Sequence, residues 1–494
     1  MGTFNEKFQK ICQDARLVGA NVVVVKDDKI VNKDFYGLKS IENDEKTNHD
    51  TVYRIASISK TVLAIGLMQL YEEGKIDLDE DISTYFGFKV RNPKFEDVKI
   101  TPKMLLLQTS SITDGYDDED LTHDGIPLGY NGVNGTNWDV TLEDLLGNPN
   151  SKYYTPLTFS NYEPGTHFIY SNFGCGLVAC LIEIASGEMY ADYMIKHVFE
   201  PLNIDASYRA KDIKARSDIA SLYNTASDNV SYKLCRSGEA FVNGGYKLFP
   251  LGQNFRGPAG GLFINMINLS KIMRMFMNRG IVDGVRLLKE ETVDLIYQAH
   301  WFGDDDEGDY PAKGLQMKVM NNFEDKGIVF RGHTGGAYGV RSYMYYNEKY
   351  QLGACFITSG GYYKSTKEGI LDVFKLTLEA ILDEYYSGPT PSTFVFTVGE
   401  KEASVDNRKI IFNEAPYSYN DEIYLPAISL ADGLGLVGDK NDKENSVRIA
   451  KDGKEIKFFN LTNFDGTLMA PLFEVCKALE LEVTLKDNKV EIKY

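Results

Sequence analysis

The chain changes texture several times in its spacing of apolar and polar positions. Near the N-terminus Phe4, Phe8, Ile11 and Ala15 recur at helical spacing among charged residues, which predicts an amphipathic helix. Residues 22–25 and 30–36 read as two strands around the polar turn Lys26-Asp27-Asp28-Lys29. Residues 57–73 read as a long helix. Its Leu63, Leu67 and Leu70 fall on one face, and Gly74 stops it. From about 80 to 325, helical segments mix with long polar loops. Strands return at 327–331, 341–346 and 351–358, and a helix follows over about 365–385. Strands at both ends with helices between them predict an α+β fold. One antiparallel sheet is built from N- and C-terminal segments and flanked by helices, with an inserted helical region.

Ser387-Gly388-Pro389-Thr390-Pro391-Ser392 is polar, rich in Pro and Gly, and has no apolar residue to bury. It reads as a linker. The expected division is therefore a domain over 1–386, a linker over 387–392 and a second domain over 393–494. The last part carries a weak internal repeat. Pro426-Ala427-Ile428-Ser429-Leu430 with Leu434 and Leu436 returns, at one constant offset, as Pro471-Leu472-Phe473-Glu474-Val475 with Leu479 and Leu481. Each copy reads as a short helix running into a hairpin that holds Val447-Arg448-Ile449 or Val490-Glu491-Ile492. Two such copies bury each other's apolar faces in a small α+β repeat domain.

Composition narrows the picture. A length of 494 residues suggests two or three domains. The 43% hydrophobic and 25% charged residues argue against wholesale disorder and membrane spans, and the apolar run Leu17 to Val25, which contains Gly19 and Asn21, is too short to span a bilayer. The net charge of −18, from 71 acids against 53 bases, repels phosphate backbones and anionic lipid, so nucleic acid is not an expected partner. The six cysteines show no C-x-x-C pair and read as buried free thiols. The acid-rich stretches 114–124 and Asp304-Asp305-Asp306-Glu307 lack the spacing of a calcium loop and read as solvated faces. The charged N-terminal helix is not the apolar core of a signal peptide. A cytoplasmic protein is expected, or a secreted or cell-surface one whose leader has been removed.

The candidate chemistry begins at Ser57-Ile58-Ser59-Lys60. A serine and a lysine three apart lie one above the other on a helix. Serine needs a base to take its proton, and a desolvated lysine can be one. The bland alternative is a helix-capping serine with a surface lysine. Tyr170-Ser171-Asn172 precedes another apolar helix and offers a hydroxyl to relay a proton and an amide to hold the lysine and a substrate carbonyl. His333-Thr334-Gly335-Gly336 is expected to follow the strand ending at Arg331. Its glycines let a substrate approach, and its backbone N–H groups with that of Ser57 would form an oxyanion hole. Tyr116, Tyr130, Tyr153, Tyr154, Tyr162 and Tyr338 are expected either to line a groove or to pack under loops.

These elements, in this order, resemble the serine β-lactamase and penicillin-binding-protein superfamily, and within it the class C β-lactamase, D-aminopeptidase and esterase branch. Residues 51–60, the segment 100–111, Glu163-Pro164-Gly165-Thr166, Ala259-Gly260-Gly261-Leu262 and Arg331 to Gly336 carry the resemblance. Gln108 and Ser111 depart from it, standing where the family has His and Gly. The resemblance implies that Ser57 is acylated and that Lys60 and Tyr170 share the base and acid work, with the order between them open. Asn172, His333, Thr334, Gly335 and Gly336 would bind substrate. His333 stands for the lysine of most β-lactamases, and Arg341 is a candidate for the missing positive charge. The implied activity is a serine hydrolase on peptide, amide or ester substrates, without cofactor or metal. A true β-lactamase and a non-catalytic binding protein are the alternatives. The overall acidity favours a neutral or cationic substrate.

The C-terminal segment resembles the small repeat domain named for the N-terminal domain of copper amine oxidases. From 393 onward it has no histidine and only Cys476, so a copper site is not expected. It reads as an accessory module that binds cell wall or a protein partner, or simply packs.

Overall fold

The computed structural model describes residues 2–494 except 116–121, 124–125, 128, 134–137, 229, 245–246, 303–311, 321–322, 368, 407, 442–445, 452–453, 459–461 and 465–466. Tyr116, most of the acidic stretch 114–124 and the run Asp304 to Glu307 lie outside the described residues. The chain divides into two units. The first holds Met1–Lys289 and Gly332–Tyr386, the second Glu290–Arg331 and Ser387–Tyr494.

In the first unit, helix α1 (Phe4–Asp14) starts at a capping box in which Thr3 and Glu6 bond each other's backbone N–H. Its buried stripe is Phe4, Phe8 and Cys12, while Ile11 and Ala15 flank it and are only partly covered. Strands β1 (Gly19–Lys26) and β2 (Lys29–Ser40) form a hairpin. Asp27 and Asp28 turn it with φ of 49° and 60°, the left-handed conformation a tight hairpin needs. A two-residue strand, β3 (Tyr53–Arg54), pairs with β4 (Phe263–Ile264). Helices α2 (Ile58–Glu72), α3 (Pro102–Leu107), α4 (Asn172–Ser186) and α5 (Met266–Met277) belong to the region between the strands of the main sheet. The chain returns to that sheet through β5 (Phe330–Ala337), β6 (Val340–Asn347) and β7 (Leu352–Ser359), and α6 (Asp372–Tyr385) closes the unit.

The sheet order β5-β6-β7-β1-β2 joins both ends of the chain, as the texture of the sequence implied. The β1–β7 pairing runs from Gly19↔Ser359 to Lys26↔Leu352. Neighbouring residues of a strand face opposite ways, and β7 shows what each face meets. The Phe356 ring meets Phe8 of α1 and Phe374 of α6 at 6.3 and 5.9 Å. The Cys355 sulfur lies 3.9 Å from that of Met273 on α5. Helices therefore cover both faces of β7, and β1, its partner, is an almost unbroken apolar run buried along its length.

Three expectations shift. Helix α2 is buried nearly all round, from Ile58 to Met68, rather than on one face, because it packs between α4 and β6. The segment His333 to Gly336 lies inside strand β5 rather than after it. Glycine is a poor strand former, which hides the strand in the sequence. Helix α6 starts at Asp372, after the extended Leu371, and not near 365.

In the second unit the repeat is visible as helices α7 (Ala427–Gly433) and α8 (Leu472–Ala478). Each follows a strand ending in proline, and the two strands pair with each other, Tyr424↔Pro471 to Pro426↔Met469. Leu425, Leu430, Leu472, Val475, Val490 and Ile492 form the core with Phe394 and Phe412, and Ala299, Ala312 and Val319 join it. Gln298 bonds both backbone groups of Ile411 on the edge strand Arg408–Ile411, at 2.6 and 3.2 Å, which covers an open sheet edge. Among the described residues no single helix is long and apolar enough to cross a membrane.

Candidate active site

Ser57 is the N-cap of α2, yet its hydroxyl makes no capping bond. The residue before it, Ala56, has φ of +54°, a conformation costly for a side chain with a Cβ and common at functional turns. Three contacts hold this turn. Ser59 Oγ donates to the Ala56 carbonyl at 2.6 Å, Leu262 N–H donates to Ser59 Oγ at 3.2 Å, and Ile55 N–H donates to the Leu262 carbonyl at 3.0 Å. The Ala259-Gly260-Gly261-Leu262 segment thus braces the turn that presents Ser57.

Lys60 is fully buried. Its Nζ lies 3.1 Å from Ser57 Oγ, 2.9 Å from Asn172 Oδ1 and 2.9 Å from the Ala259 carbonyl oxygen. It also lies over the Tyr170 ring at 4.7 Å. The Tyr170 hydroxyl bonds Ser57 Oγ at 2.7 Å. Two groups able to exchange a proton therefore meet one serine oxygen. A missing capping bond and a buried lysine are the opposite of the bland alternative.

Asp114 was not singled out by sequence reasoning, which placed it in a solvated acidic loop. It is completely buried and is corrected here to a structural anchor of the site. Its carboxylate accepts from Asn172 Nδ2 at 2.8 Å, from Ser171 Oγ at 3.1 Å and from Phe173 N–H at 2.8 Å. The bond to Nδ2 fixes the amide so that Oδ1 faces Lys60. The only signal in the sequence was its place just before the acid-rich run, and that pointed the wrong way. Gln108 and Ser111, the two departures from the family pattern, are both built in. Gln108 Oε1 accepts from Ser171 N–H at 2.6 Å, and Ser111 Oγ accepts from Asn92 Nδ2 at 2.6 Å.

Strand β5 comes against the nucleophile turn at Gly335. A Cβ there would lie 2.4 Å from the Ile55 carbonyl oxygen and from Ser342 Oγ, and 3.2 Å from Ser57 N. Only glycine admits this approach. Ser342 on β6 ties the two together by donating to the Ile55 carbonyl at 2.9 Å. His333 is buried, and its Nδ1 lies 2.5 Å from the Thr334 carbonyl, so Nδ1 carries a proton. Thr334 is half-buried between His333 and Gly335.

Arg341 is not brought to Ser57. Its guanidinium lies 3.2 Å from where a Cβ of Gly336 would be, donates to the Val340 carbonyl at 2.9 Å and sits over the Tyr363 ring at 5.4 Å. Gly335 faces Ser57, so Gly336 and the arginine against it face the other way. The tyrosines separate too. Tyr130 is buried and stacks on Phe173 at 5.0 Å, while Tyr162 stacks on His167 at 3.7 Å. Tyr338 is 59% exposed and covers Arg54 at 5.1 Å. Tyr153 and Tyr154 are half-buried.

Comparison with known proteins gives the following. The Beta-lactamase family model matches residues 4–375. Protein flp of Staphylococcus aureus (strain N315) is 26% identical over 213 residues, which are 42% of this chain and 38% of that protein. The chain thus spans well under half the length of that relative. The octameric penicillin-binding protein homologue from Pyrococcus abyssi is similar in structure, with a TM-score of 0.56 and 19% identity over 98% of both chains. D-amino acid amidase from Ochrobactrum anthropi SV3, complexed with L-phenylalanine amide, has a TM-score of 0.56 and 20% identity over 77% of this chain and 99% of its own. At such identities the structural likeness speaks for the fold.

Proposed function

The chain belongs to the Beta-lactamase family, and from that premise we propose that it is a serine hydrolase that forms an acyl-enzyme on Ser57 with a peptide, amide or ester. The observation that carries this reading is the junction at Ser57 Oγ, met by Lys60 Nζ at 3.1 Å and by the Tyr170 hydroxyl at 2.7 Å. Ser57 Oγ attacks the substrate carbonyl, and its proton passes to whichever of Lys60 and Tyr170 is unprotonated. The same pair returns a proton to the departing amine or alcohol. Water then repeats the sequence on the ester and frees Ser57. The negative charge on the carbonyl oxygen is met by the N–H of Ser57, at the head of α2, and by β5 backbone beside Gly335.

Within this class an amidase or peptidase for D-amino acids, or an esterase, is favoured over a β-lactamase. His333 stands where most β-lactamases carry a lysine, and a neutral imidazole anchors a carboxylate less well than an ammonium. For the second unit we propose a binding or packing role without catalytic residues.

A fluorophosphonate or fluorescent penicillin should label the protein at Ser57 with one equivalent, and Ser57→Ala should not be labelled. Label persisting on Ser57→Ala overturns the reading. A panel of D-amino-acid amides, short esters and β-lactams then ranks the substrate classes.

A further inference from the structure

Gln108 is one of the two positions at which the chain departs from the pattern it resembles. It is far from Tyr170 in sequence and beside it in space. It ends α3 in the left-handed conformation, with φ of +60°, and is buried. A residue with a Cβ is uncommon there and persists only where its surroundings hold it. The segment that carries Tyr170 does so. The Gln108 carbonyl accepts from Ile169 N–H at 2.8 Å, and its side-chain Oε1 accepts from Ser171 N–H at 2.6 Å. One residue therefore grips the backbone immediately before and immediately after Tyr170. The next carbonyl, that of Thr109, accepts from Gly165 N–H at 2.6 Å, so the approach to the tyrosine docks along the same bend.

The other end of the amide is matched as well. Nε2 lies 3.9 Å from the Cys175 sulfur, in the first turn of α4. Turning the amide over would set its NH2 against the Ser171 N–H, donor against donor. Beyond Ser171, the Asp114 carboxylate accepts from Ser171 Oγ and from Phe173 N–H. The titratable groups that these bonds reach from Gln108 are thus the Cys175 thiol and, through Ser171, Asp114 and Tyr170.

The family has His at this position. A neutral imidazole accepts at one nitrogen and donates at the other, so it would meet the same two neighbours. Once protonated it donates at both. The N–H that follows Tyr170 would then face a donor, and the phenol would shift from its place 2.7 Å from Ser57 Oγ. Small displacements of reacting groups are costly in rate. The glutamine amide does not titrate, so its bond to Ser171 is the same in acid and in base.

We propose that Gln108 is a positioning residue for Tyr170 and that glutamine at this place keeps the tyrosine set as pH falls through the range in which an imidazole becomes charged. The departure from the pattern then marks a site built to work further into acid, not a scaffold that has lost its chemistry. The proposal rests on the acyl-transfer reading, in which Tyr170 handles the proton.

Two variants and one measurement on the wild type test it, with kcat and KM for a single ester followed from about pH 5 to about pH 9. Gln108→Met keeps the length and removes the acceptor. It should lower kcat about tenfold or more at every pH with KM little changed. Gln108→His should approach the wild-type kcat in base, and the ratio of its kcat to that of the wild type should fall as pH drops through about 6.5, the ordinary imidazole value, or somewhat below it. Taking the ratio removes the acid limb that the wild type has of its own, and a merely structural role would lower stability without bending it. An unchanged kcat in Gln108→Met, or a ratio that stays flat in Gln108→His, overturns the proposal. Should the variants not fold, amide exchange in the wild type still decides it: Ile169 and Ser171 should be protected together, and rapid exchange at Ser171 overturns it. A wild-type chain that turns over no substrate sinks the hydrolase reading instead. Exchange at Ser171 in the wild type and in Gln108→Met then tests the grip of Gln108 on this segment by itself, and equal rates in the two overturn it.

Discussion

At the scale of single residues, burial separates working groups from inert ones. Lys60 is enclosed, and each acceptor around it has a place in the chemistry or supports one. Lys60→Ala should slow acylation by more than about 100-fold, the loss expected for general base catalysis, in a stopped-flow assay with 4-nitrophenyl acetate. Asp114 acts through Asn172, so it is a positioning residue. Asp114→Asn replaces one accepting oxygen with a donor, which either loses its bond to Asn172 Nδ2 or turns that amide. We expect kcat to fall roughly tenfold or more with KM little changed, since a lost hydrogen bond to a charged group is worth about 1.5–3 kcal/mol. A purely structural role would lower stability without altering the pH–kcat profile. Thiols illustrate the inert side. Burial pushes up the Cys12, Cys180, Cys355 and Cys476 thiols, the last to about 12. Cys235 is the one described thiol that is not buried. Ellman's reagent should therefore react with Cys235 alone in the native protein, and a second fast-reacting thiol contradicts this.

At the scale of elements, β5 and α7 each depend on one tight fit. Gly335→Ala would force the Cβ against backbone of the nucleophile turn, which has nowhere to move without dragging Ser57. Labelling at Ser57 should fall by more than about tenfold, as expected from small displacements of reacting groups. The far-ultraviolet circular dichroism should stay near that of the wild type. In α7, burial alone would raise the Asp432 carboxyl. Arg408 at 3.0 Å and Arg331 at 3.5 Å more than offset that and hold it below its ordinary value. The native carboxyl therefore binds protons less readily than the unfolded one. Its stabilisation is complete above about pH 4, the unfolded value, and is lost as pH falls through the lower native value. Asp432→Asn should cost about 3–5 kcal/mol at pH 7, because it removes the carboxylate that the buried Arg331 and Arg408 share. It should also flatten the acid limb of the urea midpoint against pH. A midpoint that keeps its acid dependence in the variant assigns that dependence elsewhere.

At the scale of the whole chain, the fold mixes segments that are far apart in sequence. The second unit takes Glu290–Arg331 as well as Ser387–Tyr494. A chain cut after Tyr386 therefore keeps Ala299, Ala312 and Val319 without their core, and Arg331 without Asp432. That truncation should show a lower midpoint of thermal unfolding and more aggregation than the full chain. Equal solubility and an equal midpoint would show that Glu290–Arg331 stands without the C-terminal residues. The charge of the molecule has its own signature. If the substrate is anionic, raising salt should increase kcat/KM by screening the field of −18, while a neutral ester should be insensitive.

Much was legible in the sequence because it is local. The spacing of Ser57 and Lys60, the turn at Lys26 to Lys29, the proline-led repeat at Pro426 and Pro471 and the α+β order of elements are all set by neighbours along the chain. The strand at His333 to Gly336 was hidden because its stability comes from pairing, not from the propensity of its own glycines. Asp114 and Arg341 were decided only by tertiary structure. Their types and neighbours in sequence made the first a solvated acid and the second a site cation. Burial with the partners met across the fold made Asp114 an anchor of the site, and Arg341 lies against Gly336 and Tyr363. Desolvation and pairing are properties of a place in space, and a linear pattern does not carry them.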